Sequence, residues 1–178
     1  MTTILNKDVH AGLLADIDGI AETAGVQPRF LHSSMTEHCG AAEVDWVKHF
    51  KRYRAEGLPG LLLDGIQKPD TRCQAIAAAL LRNFIDARVM PLNQVLELQK
   101  AGHMPQPSVL LIPNLYILLP GKGLPPWQVQ AIYDVLLHRA VKSMPTVAYV
   151  QDKDEMSKVY GIPFADFLSG FRHVQEGQ

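Results

Sequence analysis

The sequence predicts an α/β protein with a mostly parallel sheet and helices on both faces of that sheet. Short apolar runs bounded by turn residues, at residues 58–65, 108–115 and 145–152, are typical of fully buried strands. Segments with helical spacing lie between these runs, and strands that alternate with helices form parallel sheets covered on both sides. The chain has 178 residues, of which 47% are hydrophobic and 20% charged, so it can bury the core of a globular domain.

The N-terminal part of the chain is predicted to hold one helix followed by a loop. Apolar residues recur at helical spacing over residues 4–24, although Gly12 and Gly19 weaken this helix. The segment 25–34 is predicted to be a loop, because Pro28 and a pair of serines interrupt any regular pattern.

Residues 41–56 are predicted to form an amphipathic helix. Its apolar face and the positions beside that face comprise Val44, Val47, Phe50, Trp46 and Tyr53. The same segment holds the most basic cluster of the chain. A solvated helix face is the simpler interpretation of such a cluster, and contact with phosphate groups is the alternative. The candidate DNA contacts are therefore Lys48, Lys51, Arg52 and Arg54, together with Lys122 of the glycine-containing loop at 119–126.

The rest of the chain alternates between predicted helices and strands. A helix over residues 71–87 follows the first strand, with Asp70 or Thr71 as its N-cap. Pro113 is expected to end the strand that begins at residue 108. Trp127 is expected in the core or packed against its own helix, with contact to a partner protein as the alternative. The other predicted elements are a strand at 88–92 and helices at 92–102, 126–143, 153–161 and 163–171.

Composition and cysteine spacing narrow the possible classes of protein. The net charge is −1, so nucleic-acid binding would require a local basic patch. Cys39 and Cys73 do not form a CxxC motif, and the adjacent residues Glu37, His38 and Cys39 lack the spacing of zinc ligands, so we predict no metal site. The sequence has no secretory signal and no apolar run long enough to span a membrane, which favours a cytoplasmic protein.

Four segments, spread over residues 20–170, carry a resemblance to a known family. In order they are AGVQPRFLHSS, GLLLDG with AIAAALLRNFI, SVLLIPNL, and LPPWQVQAIYDVLLHRAVKSMPTVAYVQD. The first segment resembles the AG-[IV]-P-x-RF loop of the DnaC/IstB group, and the second resembles that group's strand, phosphate loop and first helix. The third segment resembles the strand that ends in an acidic pair in that group. The fourth resembles the helix and strand that follow. These are AAA+ proteins that load replicative helicases or assist transposases. The resemblance implies a three-layer P-loop NTPase fold of the AAA+-like type.

The phosphate loop implied by this resemblance lacks its chemical groups. A loop of the form GxxxxGK[ST] surrounds phosphates with backbone amides, offsets their charge with lysine, and holds magnesium through a hydroxyl. Gly65 matches the first glycine. Asp70, Thr71 and Arg72 stand where the second glycine, the lysine and the hydroxyl residue belong. A carboxylate in that place would repel a triphosphate, and Lys68 lies out of register.

The other positions that the family uses for chemistry are changed as well. Pro113 and Asn114 stand where an acidic pair would hold magnesium and orient a water molecule. Gln151 occupies the position of the polar sensor, with Asp152 next to it. Phe167 falls where the family has an arginine that senses the nucleotide of a neighbouring subunit.

The sequence therefore predicts an AAA+-like fold that is kept for shape and contacts and not for hydrolysis. We expect no catalytic residue and no cofactor. The expected function is protein–protein interaction in DNA replication, transposition or mobile-element maintenance, with a helicase, a transposase or an active ATPase relative as partner. A homo-oligomer is also compatible with this family. The expected organisation is a single domain over 1–178, with an N-terminal helix and loop at 1–40 and the α/β core at 41–178.

Two alternatives follow from the same residues. The first is an active NTPase with ATP and magnesium, in which Lys68 and either Asp70 or Asp152 serve a displaced phosphate loop. The second is a DNA-binding module that uses the basic helix at 48–54.

Overall fold

Five parallel strands form one sheet within residues 4–118 and 123–176, which are the residues described by the computed structural model. The strand order is β2-β3-β4-β1-β5. The strands are β1 (Gly60–Asp64), β2 (Ala87–Val89), β3 (Val109–Tyr116), β4 (Thr146–Val150) and β5 (Arg172–Gln175). The chain leaves β1 toward β2, returns through β3 and β4, and then crosses β1 to reach β5. The direction of winding thus changes beside β1, and parallel sheets bind ligands at the carboxyl ends of strands at such a point.

Helices cover both faces of this sheet, which confirms the predicted fold class. They are α1 (Ala11–Ala15), α2 (Ile17–Ala24), α3 (Pro28–His32), α4 (Ala41–Lys48), α5 (Phe50–Ala55), α6 (Pro69–Arg82), α7 (Leu92–Lys100), α8 (Pro126–Val141), α9 (Lys153–Tyr160) and α10 (Ile162–Ser169). Helices α2 to α6 pack on the face that holds Leu61 and Leu63, and α7 to α10 pack on the face that holds Leu62. Successive side chains of β1 are therefore buried on opposite faces, which explains its continuous apolar run.

The N-terminal segment differs from the predicted helix and loop. The helix predicted over 4–24 is two short helices, α1 and α2, because the backbone at Asp16 leaves the helical region. Gly25 ends α2 with a φ of 65°, and a Cβ there would lie 2.4 Å from the Val89 carbonyl oxygen, so only glycine fits between α2 and β2. The predicted loop at 25–34 contains α3, since Pro28 starts a helical turn that buries Phe30 and Leu31.

The helix predicted over 41–56 is also two helices. The chain breaks at His49, which separates α4 from α5. Trp46 and Phe50 are the residues that enter the core, and Val44 and Val47 are only partly buried. The buried face of α4 is therefore rotated about the helix axis relative to the predicted apolar face. A further short 3-10 helix at Met35–Glu37 joins α3 to α4.

Two predictions in the second half of the chain are also wrong, and one strand was missed. β3 does not end at Pro113 but continues to Tyr116, because an irregularity between Ile112 and Tyr116 accommodates a residue that has no N–H group. β5 was not predicted, since its four residues have no apolar run and depend on pairing with β1. Trp127 is 60% exposed and lies outside the core.

The described helices are all too short or too polar to cross a lipid bilayer.

Candidate functional site

The loop that follows β1 lies at the carboxyl edge of the sheet, beside the point where the winding direction changes. Gly65 has a φ of 62°, which suits glycine, and its N–H donates to the Val150 carbonyl oxygen at 2.9 Å. α6 begins at Pro69, so neither Asp70 nor Thr71 is its N-cap; Lys68 precedes the helix with a φ of 53°. Asp70, Thr71 and Arg72 therefore lie in the first turn of α6 and not in the loop.

Arg72 is held between two carboxylates of the protein. Its Nη1 donates to Glu43 Oε1 at 2.7 Å, and its Nη2 lies 3.0 Å from both carboxylate oxygens of Glu176. The backbone N–H of Gln67, in the loop itself, donates to Glu176 Oε2 at 3.1 Å. Arg72, which the sequence resemblance aligns with the magnesium-binding hydroxyl of a phosphate loop, is thus the centre of an ion-pair triad. One carboxylate, that of Glu176, therefore binds both an amide of the loop and the guanidinium of the first turn of α6.

Glu43 is the buried member of this triad. Its side chain is 0% exposed, compared with 14% for Arg72 and 49% for Glu176. Within the described part of the chain, Glu43 Oε2 has no hydrogen-bond partner, so Arg72 alone compensates the buried charge. Because a buried carboxylate is costly unless it is paired, Arg72 has a structural role between α4 and α6.

A cleft of about 610 Å³ opens at this edge, between the N-terminal segment and the loop after β1. Three basic side chains line it, namely Arg29 of α3, Lys68 and Arg72, and two acidic ones face them, Glu37 and Glu176. Glu37 is occupied by the N–H of Ser34, which it accepts in a capping box. The position and size of the cleft suit a small ligand, and its lining carries both positive and negative charge.

Pro113 and Asn114, which the sequence resemblance aligns with an acidic pair, have structural roles in and beside β3. Pro113 lies within the irregular part of β3 and has no polar side-chain group. Asn114 Oδ1 accepts the N–H of Leu92 at 2.8 Å, which ties β3 to the start of α7. The side chain of Asn114 is therefore engaged at the N-terminus of a helix on the other side of the sheet from the loop.

Gln151 and Asp152, the two residues after β4, also have structural partners. Gln151 Oε1 accepts the N–H of Leu118 at 2.9 Å, and its own N–H donates to the Tyr116 carbonyl oxygen. Asp152 Oδ1 accepts the N–H of Glu155 at 2.9 Å and caps α9. The Gln151 side chain thus holds the segment after β3, and the Asp152 side chain holds the start of α9.

The candidate DNA contacts of α4 and α5 do not line this cleft. Lys51 and Arg54 of α5 line a second cleft of about 500 Å³ at the amino edge of the sheet, beside Phe84, which is 68% exposed. Arg54 Nε donates to the Ser143 carbonyl oxygen, and Arg52 lies over the Tyr53 ring. Lys48 and Lys51 are exposed and lie in no ion pair among residues 4–118 and 123–176. Lys122 lies outside the described residues.

The remaining sequence candidates have packing roles. Phe167, which the sequence resemblance aligns with a sensing arginine, contacts the rings of Tyr133 and Phe171 and has a packing role. Burial raises the pKa of the Cys39 thiol to about 12 and also raises that of Cys73, which opposes a nucleophilic role for either. No group of three or more potential metal ligands occurs in the part of the chain that the structure describes.

The two carboxylates that define the site were not among the candidates from the sequence. Glu43 lies in a helix whose buried face was predicted incorrectly, and Glu176 follows a strand that was not predicted. Neither residue lies in a recognisable motif, and they lie 29 and 104 residues from Arg72 along the chain. Only the pairing of β5 with β1 could have revealed Glu176.

Solved structures of DnaA and DnaI share this fold. AMPPCP-bound DnaA from Aquifex aeolicus matches with a TM-score of 0.62 and 8% identity, over 84% of this chain and 50% of the DnaA chain. The replication initiator DnaA bound to AMPPCP and single-stranded DNA matches with a TM-score of 0.55, 8% identity and the same coverage of 84% and 50%. DnaI matches with a TM-score of 0.58 and 14% identity, over 84% of this chain and 94% of the DnaI chain.

These matches confirm the AAA+-like fold that the sequence resemblance implies. Because the identities are 8% and 14%, the likeness concerns the fold alone. The chain spans half the length of the matched DnaA chains and nearly the whole length of the DnaI chain. No protein-family model matches the sequence, and no curated protein does.

Proposed function

We propose that this chain is a non-catalytic AAA+-like protein that acts by protein–protein interaction in DNA replication, transposition or mobile-element maintenance. The observation that carries the proposal is the state of the loop after β1. Its Gln67 amide and the Arg72 guanidinium bind Glu176, and Arg72 also neutralises the buried Glu43. Groups that would meet a nucleotide in an active relative are here bound to the protein itself.

The residues at this edge do not fit the ATP–magnesium group that the fold implies. Phosphoryl transfer requires a cation at the β/γ-phosphates and carboxylates that hold magnesium and orient a water molecule. Asn114, at one of these positions, is bound to the Leu92 amide, and Asp152 caps α9. Lys68 lines the cleft, but it precedes α6, and the same cleft is lined by the carboxylate of Glu176. This arrangement disfavours the active NTPase alternative.

A partner protein of the replication or transposition machinery is favoured by the shared fold and by the surface of the chain. DnaA, one of the proteins with this fold, is a replication initiator. The chain exposes Trp127, Ile162 and Val159 by 60%, 71% and 50%, and exposed aromatic residues are enriched at protein interfaces. The partner that we propose is a helicase, a transposase or an active ATPase relative.

The test combines hydrolysis with partner binding. The purified chain is incubated with ATP and magnesium, and phosphate release is compared for the wild type, Lys68→Ala and the control Lys100→Ala, which changes an exposed lysine of α7. The same preparation is mixed with the purified helicase, transposase and AAA+ relative of its host, and complexes are measured by size-exclusion chromatography. We expect no phosphate release and one stable complex. ATP turnover that Lys68→Ala abolishes and Lys100→Ala preserves would contradict the proposal.

DNA binding is a second candidate function, and one specific arrangement favours it. Lys51, Arg54 and the exposed ring of Phe84 line the same cleft, and a base can stack on an aromatic ring while cations contact the phosphates. The test is fluorescence anisotropy with a labelled single strand at several salt concentrations. Lys51→Glu and Phe84→Ala should each weaken binding, with Lys100→Glu as the charge-matched control. Equal binding by all variants would remove this candidate.

A further inference from the structure

The carboxylate of Glu176 lies in the loop after β1 as a phosphate oxygen would lie in a nucleotide-binding loop. Both of its oxygens are 3.0 Å from Arg72 Nη2, and Oε2 also accepts the Gln67 N–H at 3.1 Å. Guanidinium groups bind carboxylates and phosphates through the same donors, and loop amides bind either anion. We propose that Glu176 is the resident anion of an oxyanion-binding site formed by Gln67, Lys68, Arg72 and Arg29, and that it keeps phosphate-bearing ligands out of the cleft. This inference rests on the proposed non-catalytic function and adds the reason why nucleotide is excluded.

The pairing of β5 with β1 places Glu176 at this position. In the parallel register of β1 and β5, Asp64 pairs with Gln175, so the next residue of each strand, Gly65 and Glu176, lies at the same level. Gln175 Nε2 donates to Asp64 Oδ2 at 3.0 Å and fixes the ends of the two strands together. The carboxylate is therefore placed by strand pairing.

The charges around the cleft show what removal of this carboxylate would leave. Glu43 neutralises Arg72 from the buried side, and the guanidinium retains Nη2 as a donor toward the cleft. Lys68 and Arg29 line the cleft and bring two further positive charges, while Glu37 brings one negative charge. Without Glu176, the loop amide, the guanidinium and a local excess of positive charge would face a volume of about 610 Å³. That set of groups suits a phosphate or polyphosphate ligand.

The experiment compares the wild type with Glu176→Ala, using inorganic pyrophosphate as the probe. Glu176 is half exposed, so its removal should leave the fold intact. The Tm is measured up to 10 mM pyrophosphate, with sodium chloride added to keep the ionic strength constant. A dissociation constant near 1 mM would raise the Tm of Glu176→Ala by about 3 °C or more, and the wild type should not shift. The control is Glu56→Ala, which removes an exposed carboxylate paired with Arg52 outside the cleft.

A second readout locates the bound anion. In Glu176→Ala labelled with ¹⁵N, pyrophosphate should move the Gln67 amide resonance, and in the wild type it should not. If Glu176→Ala folds poorly, Glu176→Gln replaces it, because the amide keeps the size of the side chain and removes its charge.

Equal pyrophosphate binding by the wild type and both Glu176 variants, or no binding by any of them, would overturn the inference. ATP hydrolysis by the wild type would contradict both the proposed function and the exclusion of nucleotide, whereas equal pyrophosphate binding without hydrolysis would overturn the role of Glu176 alone. The two failures are therefore distinguishable.

Discussion

Replacing Arg72 by alanine tests whether this residue is structural. The change removes the only hydrogen-bond partner that the described structure provides for the carboxylate of Glu43, which is 0% exposed. It also releases Glu176, whose side chain is 49% exposed. The two losses differ in size, because water can solvate Glu176 and cannot reach Glu43.

The expected fall in the free energy of unfolding follows from the environments of Glu43 and Glu176. Removing one partner of a buried ion pair costs about 3–5 kcal/mol, because the other charge stays buried without compensation. Releasing an exposed carboxylate costs at most about 1 kcal/mol. The free energy of unfolding should therefore fall by about 3–5 kcal/mol, a large part of the total of about 5–15 kcal/mol for a typical domain. At about 2–4 °C per kcal/mol for a chain of this size, the Tm should fall by roughly 6–20 °C.

Urea unfolding, followed by circular dichroism and by tryptophan fluorescence, measures this loss. The double variant Glu43→Gln/Arg72→Ala completes a double-mutant cycle with the two single variants, and a coupling energy above about 1 kcal/mol is expected. Arg52→Ala is the control, because Arg52 pairs with Glu56 on the exposed surface, and it should change the free energy of unfolding by less than about 0.5 kcal/mol. A loss below about 1 kcal/mol for Arg72→Ala, or additive effects in the cycle, would refute the structural role of Arg72.

Three further predictions concern buried or coupled groups. Arg139 is 1% exposed and donates to three backbone carbonyls, so Arg139→Met should lower the free energy of unfolding by about 3 kcal/mol in a urea titration; a change below about 1 kcal/mol would contradict this. Hydrogen bonds from the Tyr53 hydroxyl and then from the Arg172 guanidinium lower the pKa of Asp45 from 3.8 to about 2. The Asp45 carboxylate therefore stabilises the fold above about pH 4, and the effect disappears as the pH falls through about 2. The Tm difference between the wild type and Asp45→Asn should shrink over that range, and a constant difference would speak against it. Burial raises the pKa of both Cys39 and Cys73, so a disulfide reagent at pH 8 should label them only after unfolding; rapid labelling of the folded chain would be the opposite result.

The long, strongly patterned elements could be predicted from the sequence, and the short ones could not. The apolar runs around β1, β3 and β4 and the regular spacing of α6 and α8 are local signals, because each element buries much of its own surface. The helix α3, the breaks at Asp16 and His49, and the strand β5 depend on packing against distant residues. Local spacing therefore had no signal for them.

The candidate site shows the same division. The position of the loop after Gly65 and the absence of a lysine, an acidic pair and a sensing arginine are properties of the residues themselves. The hydrogen-bond partners of the residues at those positions cannot be read from the residues themselves. Asn114 binds the Leu92 amide and Gln151 binds the Leu118 amide, contacts that arise only when β3, β4 and α7 come together. Sequence reasoning found the changed positions and could not find what those side chains do instead.

The sequence by itself determined the layered α/β architecture and the absence of a GK[ST] segment at the motif's distance from Gly65, because apolar periodicity and residue type are local. Only the tertiary structure decided what fills the place of the phosphate. Glu176 reaches the Gln67 amide through the pairing of β5 with β1, and Glu43 reaches Arg72 through the packing of α4 on α6. Charged residues far apart in the chain become ion-pair partners only when folding brings them together. No pattern along the sequence indicates which of them will be close in space.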